Sequence, residues 1–128
     1  RCQTALRLAF WERHGLQAAA RIHLGERVAD IRPLSSYSCR RIRRPGGTGR
    51  RMSRHATADA IDISGFRLSD GREVSLLRDW SGGGPRPAFL REAFESACRW
   101  FPLALGPGYN SLHADHFHLQ TTGWGLCR

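Results

Sequence analysis

Four of the six histidines in this 128-residue chain fall in two short polar segments. His55 opens HATADAID, which carries Asp62 seven residues on, and HADHFH supplies His113, His116 and His118. Imidazole and carboxylate are the donors that hold a borderline metal such as zinc without thiolate, and three protein ligands leave a fourth position for water. An open site of that kind is a catalytic one. If residues 60–64 form a strand, the period of two puts Asp62 on the face opposite Ile61 and Ile63. The same rule projects His116 and His118 from one face of a strand whose other face carries Phe117 and Leu119. A carboxylate within an apolar strand needs a cation or hydrogen-bond donors around it. A metal meets that need at Asp62, and an arginine partner is the alternative. His14 and His23 read as surface or packing residues. Asp59 and Asp115 read either as exposed charges or as acceptors that orient a histidine ring.

The elements that must position these groups are partly legible. Leu6, Ala9, Phe10 and Trp11 recur at near-helical spacing between Thr4 and His14, with Gly15 as the stop, and Ala18 to Leu24 gives a second short helix capped by Gly25. RVADIRPL alternates imperfectly as a strand, and Pro33 suits a strand end or edge. SSYSC continues as an extended piece into Arg40 to Arg54, a Gly-Pro-centred stretch holding seven arginines that reads as a mobile basic loop. FRLSDGREVSLL predicts a β-hairpin turning on the two residues Asp70 and Gly71. The prolines of SGGGPRP open a helix from about Pro87 to Trp100 with Leu90, Phe94, Ala97 and Phe101 on its apolar face. HFHLQTT is a further strand. The expectation is one α+β domain over residues 1–128, with helices flanking a small antiparallel sheet that carries the metal site.

Composition sets the outer bounds. A chain of this length buries roughly two-thirds of its unfolded surface, so it can own a core, but it cannot hold two full domains. With 41% hydrophobic and 24% charged residues it falls outside the disordered class. No uncharged apolar run approaches the ~20 residues that cross a bilayer. RCQTALRLAF has no signal-peptide core, so the chain reads as a mature or trimmed soluble portion, and a monomer is expected. The net charge is +9 and every one of the 20 basic residues is arginine. That excess draws the chain toward polyanions, whether nucleic acid, anionic lipid or an acidic cell-wall polymer. The basic stretch has no interleaved aromatics for base stacking, which argues against a specific nucleic-acid partner or a nuclease. Cys2, Cys39, Cys98 and Cys127 are widely spaced with no CxxC pair, which favours two disulfides in an oxidising compartment over a zinc ribbon or buried free thiols; the pairing stays open.

SYSCR, SRHATADAIDISGFRLSDG, Asp79-Trp80, ACRWF, LGPGYNSLHADHFH and the closing CR together resemble the extensin-like C-terminal domain family of bacterial proteins across nearly the whole chain. The metal segments are in turn similar to the zinc peptidases that include D-alanyl-D-alanine peptidases, penicillin-insensitive murein endopeptidases, lysostaphin and hedgehog domains. The resemblance implies a hedgehog-like or D-alanyl-D-alanine-peptidase-like fold in which Zn2+ is held by His55, Asp62 and His118, with His116 beside the metal. It also implies catalytic roles for His113 and for Arg40, the latter stabilising developing negative charge. Proton transfer then falls to His113 or His116. The activity implied is that of a periplasmic or secreted zinc metallopeptidase cutting peptidoglycan stems at LD- or DD-cross-links. A non-catalytic cell-wall-binding module of the same fold is the alternative.

Overall fold

A computed structural model describes residues 2–35, 41–52 and 54–128, with side chains at 2–34, 45–47 and 56–128. Helix α1 (Cys2–Trp11), a π-turn (Glu12–Leu16) and α2 (Gln17–Leu24) run on as one helical rod. Gly15 is therefore not the expected stop. It is buried in the π-turn, where a Cβ would stand 2.5 Å from Ser96 Oγ and 2.8 Å from Ser96 Cβ. The missing side chain lets the rod lie against a second long helix, Pro85–Ala97, which begins two residues earlier than the spacing suggests because Pro85 fits its first turn. Trp11 Nε1 locks the contact, donating to Ala93 O at 3.0 Å and to Ser96 Oγ at 2.9 Å. Leu6 and Phe10 turn outward, and Phe10 stacks on Trp100. The rod does end at Gly25, whose φ of 66° makes the left-handed cap.

Strand β1 (Val28–Ser35) lies at the edge of a six-stranded sheet, where Pro33 costs no ladder bond on its open side. Two further strands, β2 (Arg41–Arg44) and β3 (Gly47–Met52), pair with each other around Pro45-Gly46. The expected basic loop is thus a hairpin. Its arginines offer no apolar alternation to read, and Gly46, with φ 88°, supplies the positive φ that a turn after Pro45 takes. Beyond Ser35, the SSYSC extension lies outside the described residues.

The spine of the large sheet is β4 (Ala60–Leu68). It pairs with β1 on one edge; on the other, β5 (Glu73–Ser75) and a later strand, Phe117–Gln120, sit end to end. The β4–β5 hairpin matches expectation, but its loop has three residues rather than two. Leu68 pairs with Arg72 (N–O 2.8 Å), Gly71 N donates back to Leu68 O (3.0 Å), and Gly71 takes φ 93°. Helix α3 (Leu76–Asp79) follows, then α4, the Pro85–Ala97 helix. The sheet continues through β6 (Leu103–Leu105), β7 (Phe117–Gln120) and β8 (Leu126–Cys127) in the order β1-β4-β7-β6-β8. After β7 the chain reverses and steps past β6, so β8 lands parallel to it. The sheet is mixed, not wholly antiparallel as the sequence suggested.

Alternation along β4 breaks once. Arg32 pairs with Gly65 and Pro33 with Ile63, leaving Ser64 as an extra residue, a β-bulge. Before it the core-facing residue is Ile63; after it they are Phe66 and Leu68, all fully buried. With Phe117, Leu119 and Ala104 they pack against Trp11, Leu16 and Ala19 of the rod and Leu90, Phe94 and Ala97 of α4. Helices thus cover one face of the sheet, and Asp62 stands on the other side of the strand from the core.

Cys98, at the end of α4, is disulfide-bonded to Cys127 of β8 across 29 residues of sequence. Cys2 is a free, exposed thiol, and Cys39 lies outside the described residues. Closing a loop of that length restricts the unfolded chain by about 3–4 kcal/mol in the chain-entropy account. The double variant Cys98→Ser, Cys127→Ser is expected to lose stability of that order in urea unfolding under oxidising conditions. An unchanged midpoint would show that the bond does not hold β8.

Candidate functional site

Asp62 and His118 are register partners across the β4–β7 ladder, so their side chains rise together from one face. His118 Nδ1 stands 2.9 Å from Asp62 Oδ1, and His116 Nε2 stands 3.8 Å from the same oxygen. The Asp62 side chain is only 5% exposed. Burying a carboxylate this far is costly unless positive charge and donors surround it.

A contact on the far side of the His118 ring bears on how the two meet. Gln120 Nε2 donates to the carbonyl and the hydroxyl of Thr122, which turns Gln120 Oε1 toward His118 Nε2 at 3.3 Å. A carboxamide oxygen only accepts, so this contact calls for a proton on His118 Nε2, as the carboxylate contact calls for one on Nδ1. Nδ1 then meets Asp62 either as an imidazolium N–H or as a lone pair that needs a cation between it and the carboxylate. Either way the pair is a seat for positive charge. Ligands on tetrahedral zinc with bonds of roughly 2.0–2.1 Å lie about 3.3 Å apart. The Asp62–His118 separation of 2.9 Å is a hydrogen-bonding distance, so these two side chains would part by a few tenths of an ångström to share a metal, and one carboxylate with one imidazole is a donor set zinc accepts.

Two more imidazoles flank the pair. His116 Nδ1 donates to Asp115 Oδ1 at 2.8 Å, which leaves its Nε2 facing Asp62. Asp115 is an acceptor that orients a ring, one of its two readings from sequence. His113 lies with its ring centroid 5.0 Å from His116 and 6.0 Å from His118. It sits on the short 3-10 turn Ser111–His113, whose first residue is preceded by Asn110. Asn110 Oδ1 accepts the Leu112 amide (3.1 Å) and His113 Nδ1 (2.7 Å), so His113 Nε2 is the unprotonated nitrogen. Burial, followed by the His116 and His118 imidazoles, pushes the His113 pKa down from 6.5 to about 4. His113 is therefore a neutral base at pH 7. Tyr109 stands edge-on to its ring.

The other residues singled out from sequence fall elsewhere. His55 belongs to the 3-10 turn Arg54–Thr57, which packs at the start of β4, but its side chain lies outside the described residues, as does Arg40 entirely. Among the described residues, no group of three or more His, Cys, Asp or Glu side chains forms a ready metal-holding cluster. Asp59 is buried and accepts the Thr57 hydroxyl at 2.5 Å, while its carbonyl holds Thr121. Away from the site, His14 joins the stacked Phe10–Trp100 pair, with its ring centroid 6.2 Å from Phe10 and 5.9 Å from Trp100, and His23 bonds Glu92. Trp80 packs edge-on to Phe94 and Phe117 in the core.

The model of one family, described as the extensin-like protein C-terminus, matches residues 1–128. The chain belongs to the extensin-like C-terminal family. No curated protein and no solved structure matches it. Two residues of this extensin-like chain that orient the imidazoles, Asn110 and Gln120, are not among those its sequence singles out. Gln120 had a signal: it stands two residues past His118, on the same face by the strand period. Asn110 had a weaker one, as a capping residue type just before a turn.

The His113 shift sets a pH test. The unfolded imidazole takes a proton below pH 6.5 and the folded one only below about 4, so the stability this group contributes is present above 6.5 and is lost as pH falls to about 4. In metal-free protein the His113 ring is expected to titrate by NMR near pH 4. His113→Gln is expected to flatten the stability profile between those values; titration near 6.5 would contradict the burial.

Proposed function

We propose that the chain is a zinc-dependent peptidoglycan hydrolase, an endopeptidase cutting cross-link peptide bonds that involve D-amino acid or meso-diaminopimelate residues. The observation that carries this reading is the buried Asp62 carboxylate set 2.9 Å from His118 Nδ1, with Gln120 already committing the other ring nitrogen. Similarity of the HATADAID and HADHFH segments to the zinc murein and D-alanyl-D-alanine peptidases supports it. His55, Asp62 and His118 would hold the metal. Bound there, zinc would supply a Lewis acid for the scissile carbonyl and lower the pKa of water to roughly 7.

The chain's own groups then divide the proton work. His113 is neutral, and its Nε2 is directed by the Asn110 bond at the other nitrogen. It accepts a proton as water attacks the scissile carbonyl and returns it to the departing amine, so the amide is cleaved with no net proton change at the ring. His116, its Nδ1–H held by Asp115, can carry a second proton at Nε2 and donate to the tetrahedral oxyanion. Arg40 is assigned to the same developing charge. The 20 arginines steer carboxylate-bearing stems toward the cleft, and that steering weakens with salt. The Cys98–Cys127 disulfide suits the oxidising periplasm or cell exterior where such a substrate lies. Among the described residues no helix is long and apolar enough to cross a membrane.

Purified muropeptides test the reading. The parent is expected to release cleaved stems, His118→Ala none, and His116→Ala about a hundredfold fewer per unit time, the usual cost of one oxyanion contact. Sedimentation with cell wall but no cleavage would replace the hydrolase with a binding module.

A further inference from the structure

A cavity of about 220 Å³ opens beside the histidine cluster, lined by Arg32, Ser64, Glu73, Leu77, Arg78 and Asp115 among others. Its position follows from the sheet. Strands β5 and β7 share one edge of β4 but leave a gap: β7 begins at Phe117 opposite Ile63, and β5 ends at Ser75 opposite Gly65. The bulge residue Ser64 faces that gap. Asp115 belongs to both places, since it lines the cavity and holds His116 Nδ1. Asp115 therefore joins the cavity to the histidine cluster.

Its chemistry is that of a zwitterion's counterpart, with two guanidinium groups and two carboxylates around a small space. Arg32 is paired with Glu73. Arg78 is held only loosely: its Nη2 lies 3.7 Å from Asp79 Oδ2, and that oxygen already accepts the Ser75 amide at 2.9 Å. Its side chain is 62% exposed, and the neighbouring Leu77 presents an exposed apolar rim. A guanidinium free to swing, next to an oriented acid–base pair, is suited to a carboxylate in two-point contact.

We propose that this cavity is the substrate subsite for the free amino-acid centre of a diaminopimelate side chain on a peptide stem, with Arg78 binding its carboxylate and Glu73 its ammonium. The inference rests on the peptide-stem reading above and adds the group recognised and the residue that selects it. Arg78 is a specificity residue; it touches substrate away from the reacting carbonyl.

The test uses a synthetic tripeptide ending in meso-diaminopimelate and its counterpart with the side-chain carboxylate, the one beside the free ammonium, amidated, each titrated into the full chain and followed by NMR. Arg78→Ala and amidation are each expected to weaken binding tenfold or more, and the two losses should not add, because they remove one contact. Thermal melting should be unchanged in Arg78→Ala. Equal affinity of parent and Arg78→Ala, additive losses, or no binding of either peptide to the parent would overturn the subsite. Neither readout needs hydrolysis. Binding with these losses in a chain that cuts nothing keeps the subsite and removes the hydrolase; cleavage with KM unmoved by Arg78→Ala does the reverse.

Discussion

A carboxylate almost wholly removed from water, held against an imidazole whose second nitrogen is already spoken for, is the constraint around which this fold is arranged. Desolvating an ion costs several kcal/mol even after relaxation, and positive charge and hydrogen-bond donors at close range offset it. Asp62 can sit where it does because His118 is its ladder partner and His116 reaches the same oxygen. The ladder in turn is held by the apolar face behind it, where Ile63, Phe117 and Leu119 are fully buried against the helices. A slip of one residue in β4 or β7 would turn the carboxylate into the core and the isoleucine out of it. Core packing and site geometry therefore enforce the same register.

The Ser64 bulge does the complementary job. Without it, the parity that puts Asp62 on the polar face would also send Phe66 and Leu68 there. One extra residue restores them to the core and lets β4 serve two partners on one edge. Gly65 is part of the same device, because a Cβ there would lie 2.4 Å from the Val74 carbonyl. The gap between those partners is where the cavity opens, with Asp115 as the link to the imidazoles. A strand irregularity thus becomes the floor of a cleft.

How much of this could be read from residue order depended on the range of the forces involved. The alternation of Asp62 against its isoleucines, the capping role of Gly25, the Asp70-Gly71 turn and the apolar face of α4 are local, and each is legible. Gly15 was misread because a glycine in a helical stretch signals a stop when only its own segment is considered; its role is set by Ser96, 81 positions away. The arginine-rich hairpin is not legible because arginines and glycines fill both faces of its strands and leave no apolar alternation to read. The parallel closing strand is two residues long and depends on a chain reversal past β6. For the site, the histidine spacing was visible, but which ring nitrogen faces Asp62 follows from Gln120 and Thr122, and that requires coordinates.

Asp62 is proposed to seat a zinc ion. Zinc content per chain, measured by mass spectrometry after purification and dialysis against trace zinc, addresses it without reference to any substrate. One equivalent is predicted in the parent, with loss in both Asp62→Ala and His55→Ala. Equal zinc in all three proteins, or none in the parent, would contradict it and leave the Asp62–His118 pair as a buried imidazole–carboxylate contact.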